Sequence, residues 1–184
     1  MHHVATRTFL VLAAAALGAG AAEAQVGLTS NVAQVSINAT KASNLSVAVT
    51  AGATQTLATL TDNALNNFPS PVAITTTWDL NAGASVSLIG WFGTAANALV
   101  SGGNSIPSSW VKASLNGGAF NAFNQNAVAG VGSAGGSLAI FSQATNPPLS
   151  GFRNDNLDLQ LDLTGQTLVP GTYAGTLNLQ AVVQ

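Results

Sequence analysis

The feature that most constrains the fold is a strict two-residue alternation of apolar and polar side chains in short segments. It is clearest in NLDLQLDL, residues 156–163, where leucines alternate with Asp158, Gln160 and Asp162. Successive side chains of a β-strand point to opposite faces of the sheet, so this period predicts a strand with one buried and one solvated face. No convincing period of 3.6 residues, which would indicate an amphipathic helix, follows Gln25.

The same alternation recurs between turns rich in glycine, asparagine, proline and serine. It predicts seven further strands, at residues 33–39, 45–49, 72–80, 85–92, 111–115, 137–141 and 173–183. Two intervening segments are predicted to be loops, at residues 63–71 and 124–136. Because each strand carries one apolar face, two antiparallel sheets packed face to face satisfy the pattern, and the predicted class is an all-β sandwich.

The first 24 residues are typical of a cleavable signal peptide. Arg7 precedes an apolar stretch, residues 9–21, that is too short to span a membrane comfortably, and no later stretch is suited to a transmembrane helix. Small residues at Ala22 and Ala24 place the cut before Gln25. Residues 25–184 are therefore predicted to be one secreted domain, outside the cell or at its surface, with passage through the periplasm. A retained N-terminal anchor helix is the alternative.

Composition excludes several kinds of chemistry once residues 1–24 are removed. The remaining chain has no histidine, cysteine, glutamate or methionine, and its charges are three basic residues and five aspartates, namely Lys41, Lys112, Arg153, Asp62, Asp79, Asp155, Asp158 and Asp162. Neither a Ser-His-Asp triad nor a Cys-His pair can form, and zinc and copper lose their usual ligands. We therefore predict no enzymatic activity, no cofactor and no metal. Three basic residues cannot neutralise a run of phosphates, so no nucleic-acid binding is expected.

The aspartates are the remaining candidates for acid–base or metal chemistry. Asp158 and Asp162 share one face of a strand but lie roughly 13 Å apart at 3.3 Å per residue. That separation exceeds the about 5 to 9.5 Å of a glycosidase pair, so we interpret them as charges that keep an outer face solvated and oppose wrong pairing. The run RNDNLD gathers oxygen ligands, and calcium at Asn154–Asp158 stays an alternative to ordinary turn chemistry.

The tryptophans support a different hypothesis, carbohydrate binding by stacking. Trp78 shares the parity of the apolar side chains of its strand and is predicted to belong to the core. Trp91 and Phe92 are adjacent on one strand, so one of them should point away from the core. Trp110 has the parity of Lys112, opposite the apolar face. Trp110 and Trp91 are therefore candidates to stack on a sugar or a neighbouring subunit, against the alternative of half-buried edge aromatics.

The C-terminal segment LVPGTYAGTLNLQAVVQ combines a Pro-Gly turn, the single tyrosine of the chain and an alternating strand. It resembles the closing hairpin of secreted bacterial immunoglobulin-like sandwiches, which include the spore coat protein U and fimbrial-subunit group, at Pro170, Gly171, Thr172, Tyr173, Thr176 and Leu177. The resemblance implies an immunoglobulin-like Greek-key sandwich that serves as a subunit of a surface fibre or coat, sometimes completed by a strand from a neighbour. Members of that group often carry a disulfide, which a chain without cysteine cannot form.

Three residues of this segment are predicted to have structural roles. Pro170 and Gly171 can form a tight turn. Tyr173 has the parity of the core face at the start of the predicted strand, so its hydroxyl needs a hydrogen-bond partner. The tyrosine corner of Greek-key sandwiches meets that need by bonding the hydroxyl back to the main chain.

These observations favour a non-enzymatic structural or assembly subunit of a bacterial surface fibre, pilus or coat. A chain with so little charge can pack against its copies with little repulsion, and its sheet edges can be joined by β-strand addition. The uncharged, alternating segment at residues 32–40 is the candidate for an exchanged strand, and otherwise is the first strand of its own domain. The alternative function is a carbohydrate-binding or adhesive domain that uses Trp110 or Trp91.

Overall fold

The computed structural model describes residues 33–81, 85–145 and 149–184; the predicted signal peptide, residues 1–24, lies outside them. The described residues contain a single 3₁₀ turn, Ser108–Trp110, and eleven strands: β1 (Asn44–Ala51), β2 (Leu65–Asn67), β3 (Val72–Asp79), β4 (Ser85–Trp91), β5 (Leu99–Ser101), β6 (Asn104–Ile106), β7 (Val111–Leu115), β8 (Asn121–Ala122), β9 (Ser137–Ala144), β10 (Ser150–Asp162) and β11 (Asn178–Val183).

The strands pair in antiparallel fashion into two main sheets and a hairpin. The larger sheet has the order β1-β3-β10-β7-β8, and β2 pairs with β10 as well. The smaller sheet has the order β11-β4-β9, and β5 pairs with β6. The predicted all-β class is thus confirmed, and β1, β3, β4, β7 and β9 fall where the alternation predicted strands. Residues 124–136 contain no named strand, as expected for a loop, whereas residues 63–71 include the short β2.

The inner faces of the two sheets share one apolar core. Buried side chains of the larger sheet, among them Val72, Ile74 and the alternating leucines of β10, belong to one cluster with Val86 and Leu88 of the smaller sheet. Phe92 and Phe123 pack edge to face within this cluster, with ring centroids 5.2 Å apart. The two-residue period therefore identified the inner face correctly where two sheets cover it.

The segment at residues 33–39 departs from the prediction, because it is not part of any strand. Val35 and Ile37 are 83% and 87% exposed. Alternation favours a strand only where a neighbouring strand supplies hydrogen bonds and a second layer covers the apolar face. An uncharged, alternating segment thus presents its apolar side chains to solvent.

The last strand is shorter than predicted, since β11 begins at Asn178 rather than at Tyr173. Between Leu168 and Leu177 the main chain makes one isolated bridge, from Ala174 to Val100 of β5. Residues 168–177, which we call the C-terminal motif, therefore form a loop that leads into the final strand. The alternation of apolar residues begins at Tyr173, but pairing with a neighbouring strand begins only at Asn178.

The strand β10 is longer than predicted and corrects two expectations. It starts at Ser150, so the run RNDN lies inside a strand that pairs with β3 and is not a turn. Pairing along the sheet outweighs the poor strand propensity of Asn and Asp. Gln160 was expected on a solvated face but is buried, because β2 lies alongside and Gln160 donates a 2.7 Å hydrogen bond to Asn67.

Candidate functional site

The strand β1 forms one edge of the larger sheet in the part of the chain that the structure describes. It pairs with β3 through one side only, and its sequence NLSVAVTA contains no charge. Eight residues at 3.3 Å each give an edge of roughly 26 Å. Uncharged edge strands of this length are the usual templates for strand addition.

A second edge lies beside the first. The strand β11 is the edge of the smaller sheet, and it contacts β1 where the two sheets meet. A cavity of about 290 Å³ opens between the two strands, lined by Leu45, Ser46, Val47, Leu179, Gln180 and Ala181. We call this opening, together with β1 and β11, the β1–β11 seam.

The apolar side chains of the seam are covered unevenly. Leu45 and Val47 are half-buried against the core, whereas Val49 is 41% exposed although its register partner, Ile74, is buried. At the far end of β11, Val183 is 38% exposed. The sheets therefore leave apolar surface accessible along two adjacent, uncharged edges, which is what an added strand would cover.

A larger crevice lies under the C-terminal motif. It has a volume of about 670 Å³ and runs between residues 55–62 and residues 168–175. Leu60, Phe68 and Tyr173 contribute apolar walls. Asp62 is the one charged residue on its lining, and that carboxylate accepts a 3.0 Å hydrogen bond from the main-chain N–H of Leu168. The remaining lining residues of the crevice carry no charge.

The motif residues occupy different positions on this crevice. The hydroxyl of Tyr173 donates a 3.0 Å hydrogen bond to the main-chain carbonyl of Val169, four residues upstream. This is a bond of the kind that a tyrosine corner makes. Pro170 and Gly171 lie at an exposed bend ahead of it. Sequence reasoning overlooked Gly175, where a Cβ atom would collide with the main-chain carbonyl oxygen of Ala98.

Each of the three tryptophans is buried or half-buried. Trp78 is buried in the core, and its indole lies so close to Gly151 that a Cβ there would come within 2.8 Å of the ring. Trp91 is half-buried, and its neighbour Phe92 is buried. Trp110 ends the 3₁₀ turn and packs partly buried against the core, instead of standing out from a strand.

The most exposed aromatic side chain in the described residues is Phe152, which sequence reasoning missed. It is 66% exposed on the outer face of β10, opposite Thr77 of β3. Ser46 and Thr77 share a 2.6 Å hydrogen bond on that face, and Thr75 donates to Asn154. The alternation would have shown the exposure of Phe152 if the strand had been extended back to Ser150.

Two ion pairs involve charged residues of β10. On the outer face, Lys112 lies 2.6 Å from Asp162, and its hydrogen bond, with those from Thr164, lowers the pKa of Asp162 to about 2. On the inner face, Arg153 holds Asp155 through hydrogen bonds of 2.6 and 2.7 Å. Burial alone would raise the pKa of Asp155, but hydrogen bonds from Arg153 and Asn116 and the positive charge of Arg153 lower it.

The inner pair connects the two sheets. Asp155 is only 4% exposed, and Asn116, at the end of β7, donates a 2.8 Å hydrogen bond to it. Arg153 donates to Gln143 of β9 at 3.2 Å, and its guanidinium lies 3.9 Å above the ring of Phe141. We call these five residues the inter-sheet clasp, because they extend from β7 through β10 to the opposite sheet.

The geometry of β10 does not bring the oxygen groups of residues 154–158 together. Asn154 bonds Thr75 on the outer face, whereas Asp155 points inward to Arg153. Alternation therefore removes the carboxylate of Asp155 from the oxygen ligands that the calcium alternative combined with Asn154. Within the ranges that the structure describes, no group of three or more His, Cys, Asp or Glu side chains is placed to hold a metal ion.

Comparison with protein-family models, with curated proteins and with solved structures found no match. Across the described ranges, no helix has both the length and the apolar character needed to cross a membrane.

Proposed function

We propose that the chain is a secreted, non-enzymatic structural subunit that assembles with copies of itself by strand addition at the β1–β11 seam. The observation that carries the proposal is the contact between two uncharged edge strands, of which β1 leaves Val49 partly exposed and β11 leaves Val183 partly exposed. The return of β10 to lie between β3 and β7 supports an immunoglobulin-like Greek-key arrangement. The resemblance of the C-terminal segment to the spore coat protein U and fimbrial-subunit group suggests that the assembly is a surface fibre or coat.

The segment at residues 33–39 is the proposed donor. It is uncharged, it is not in a strand, and Val35 and Ile37 are both largely exposed. Its alternation would place two apolar side chains toward a neighbouring subunit's seam while Gln34 and Ser36 face solvent. Main-chain hydrogen bonds to an edge would give affinity, and the apolar seam would select the register.

The acceptor is tested by Val49→Lys. Since Val49 is 41% exposed, a lysine there can extend its ammonium group into solvent, and the domain should stay folded. An added strand would bury that charge, so assembly should be lost. The matched control is Val100→Lys, at a 46% exposed valine on β5. Light scattering and negative-stain microscopy should show polymers for the wild type and the control but not for Val49→Lys. A wild-type protein that stays monomeric at high concentration would refute the proposal.

The donor is tested by Ile37→Lys, with Ser36→Lys as its control. Ile37 is 87% exposed, so the substitution should not change the unfolding midpoint. We expect Ile37→Lys to prevent polymer formation and Ser36→Lys, at the opposite parity, to preserve it. Equal polymerisation by both variants would remove residues 33–39 from the interface while leaving the acceptor test intact.

A carbohydrate-binding or adhesive function is the second candidate, and the exposure of Phe152 favours it. A ring that is 66% exposed beside Thr77 and Asn154 offers a stacking platform flanked by neutral hydrogen-bonding groups. Glycan-array binding that disappears in Phe152→Ala would support it. Loss in Trp110→Ala or Trp91→Ala instead would place the site at the half-buried tryptophans, and no binding by the wild type would exclude this function.

A further inference from the structure

The turn that follows β7 contains the chain's one Asn-Gly pair, Asn116-Gly117. The N–H of Gly118 bonds the carbonyl of Leu115 at 3.0 Å, and φ is positive at both central residues, 51° at Asn116 and 74° at Gly117. These values define a type I′ turn, for which Asn-Gly is the preferred sequence. Asn116 is exposed to solvent.

The side chain of Asn116 is held at both of its polar atoms. Its Nδ2 donates to Oδ1 of Asp155, and its Oδ1 accepts from the main-chain N–H of Asn156, both at 2.8 Å. Its own main-chain N–H bonds the carbonyl of Asn156 at 2.8 Å. The exposed side chain of Asn116 thus forms the outer end of the inter-sheet clasp. Its main-chain bond to Asn156 continues the pairing of β7 with β10 by one residue past the end of β7.

We propose that Asn116 is a site of spontaneous deamidation whose rate is controlled by the clasp. The main-chain nitrogen of Gly117 attacks Cγ of Asn116 and loses its proton, the bond from Cγ to the side-chain nitrogen breaks, and ammonia leaves. Water then opens the resulting succinimide to aspartate or isoaspartate. Water is the only co-reactant, and glycine offers no side chain to hinder ring closure.

The folded clasp opposes this reaction. Cγ cannot turn toward the nitrogen of Gly117 unless the carboxamide releases both Asp155 and Asn156. The reaction therefore proceeds from molecules in which the turn has opened locally.

The product cannot restore the clasp. An aspartate at position 116 would place an acceptor, and at neutral pH a negative charge, where Nδ2 donates 2.8 Å from Asp155. An isoaspartate would add a methylene group to the main chain of a two-residue turn. Deamidation thus converts a reversible opening into a permanent loss of the hydrogen bond that joins the turn after β7 to Asp155 of the clasp.

The test follows deamidation at mildly alkaline pH by peptide mass spectrometry. Three samples are compared: the native protein, the same protein unfolded in urea, and a synthetic peptide of residues 111–121. We expect Asn116 in the native protein to react roughly tenfold more slowly, or slower still, than in the other two samples, since two hydrogen bonds must open. Asn63 is an internal control, because its φ is also positive, at 54°, but alanine follows it. It should not react in the same period.

Two variants complete the test. Asp155→Asn should accelerate the reaction of Asn116 in the native protein, and Asn116→Asp should lower the unfolding midpoint in the way that aged wild-type protein does. The comparison of native and urea-unfolded wild type stands even if Asp155→Asn does not fold. Equal rates in the native protein and the peptide, or an Asn116→Asp variant as stable as the wild type, would overturn the proposal.

Discussion

At the scale of single residues, Gly175 is the position in the C-terminal motif where a small change should have the largest effect. A Cβ atom there would collide with the carbonyl oxygen of Ala98, and main chain cannot move aside as a flexible side chain can. We expect Gly175→Ala to destabilise the protein by about 1–3 kcal/mol, the range for overpacking. Gly103→Ala, where a Cβ atom meets open space, is the control. Urea unfolding curves that coincide for the two variants would contradict this expectation.

Tyr173 should contribute less than Gly175. Its hydroxyl makes one hydrogen bond, to the carbonyl of Val169, at a half-buried position. Tyr173→Phe removes that bond but keeps the ring against the core, so we expect a loss of about 0.5–1.5 kcal/mol in urea unfolding. Unchanged stability would show that the bond to Val169 does not act as a tyrosine corner.

The pair formed by Arg153 and Asp155 should make stability depend on pH. The pKa of Asp155 is lowered in the folded state, so its contribution is present above the unfolded value of about 3.9 and is lost as the pH falls through the folded value. The wild type should therefore lose stability below about pH 4. Asp155→Asn should remove this part of the loss, and should be less stable at neutral pH by about 2 kcal/mol.

The matched control for that experiment is Asp79→Asn. Asp79 pairs with Lys41 at 2.8 Å, but the lysine side chain is 74% exposed, and exposed pairs contribute about 0–1 kcal/mol. Chemical unfolding measured at several pH values separates the two cases. A pH profile of Asp155→Asn that is parallel to that of the wild type would show that this buried pair does not set the acid sensitivity.

The residues of the core could be predicted from sequence, and those of the clasp could not. The leucines of β10 and Trp78 follow the two-residue period, and all of them are buried. Arg153 and Asp155 follow the same period. In the sequence, however, charged residues within an Asn-rich run are typical of a turn, so their burial in a strand could not be predicted. Their inward position depends on partners distant in sequence, Asn116 and Gln143, which no local pattern identifies.

At the scale of elements, alternation predicted strands reliably only where a ladder partner exists. The strands β3, β4 and β10 have neighbours on both sides, and their patterns were interpreted correctly apart from the start of β10 and the burial of Gln160. Residues 33–39 and 173–177 alternate equally well but are not in strands. The difference is tertiary, since a strand is stable only as part of a sheet. The β1–β11 seam was likewise beyond prediction, because sheet order decides which edges meet.

Deletion of residues 33–39 should abolish assembly without destabilising the rest of the domain. The side chains of this segment are exposed and none is in a strand, so the unfolding midpoint of the remaining protein should not change by more than the scatter of the measurement. Strand addition to a neighbour would nevertheless be lost, and light scattering should report monomers. A large fall in the midpoint would mean that the segment completes its own domain, which is the alternative to exchange.

At the scale of the whole molecule, the scarcity of charge has a consequence for how assembly responds to salt. The proposed interface consists of main-chain hydrogen bonds and the apolar side chains of the seam, and neither is weakened by screening. Polymers held by exposed ion pairs such as Lys41–Asp79 should instead dissociate as the Debye length shortens. We therefore expect the amount of polymer, measured by sedimentation, to be the same or greater in high salt and to fall in urea, which solvates both apolar and peptide groups. If salt alone dissociated the polymers, the contacts between subunits would involve the few charged residues of the surface and not the β1–β11 seam.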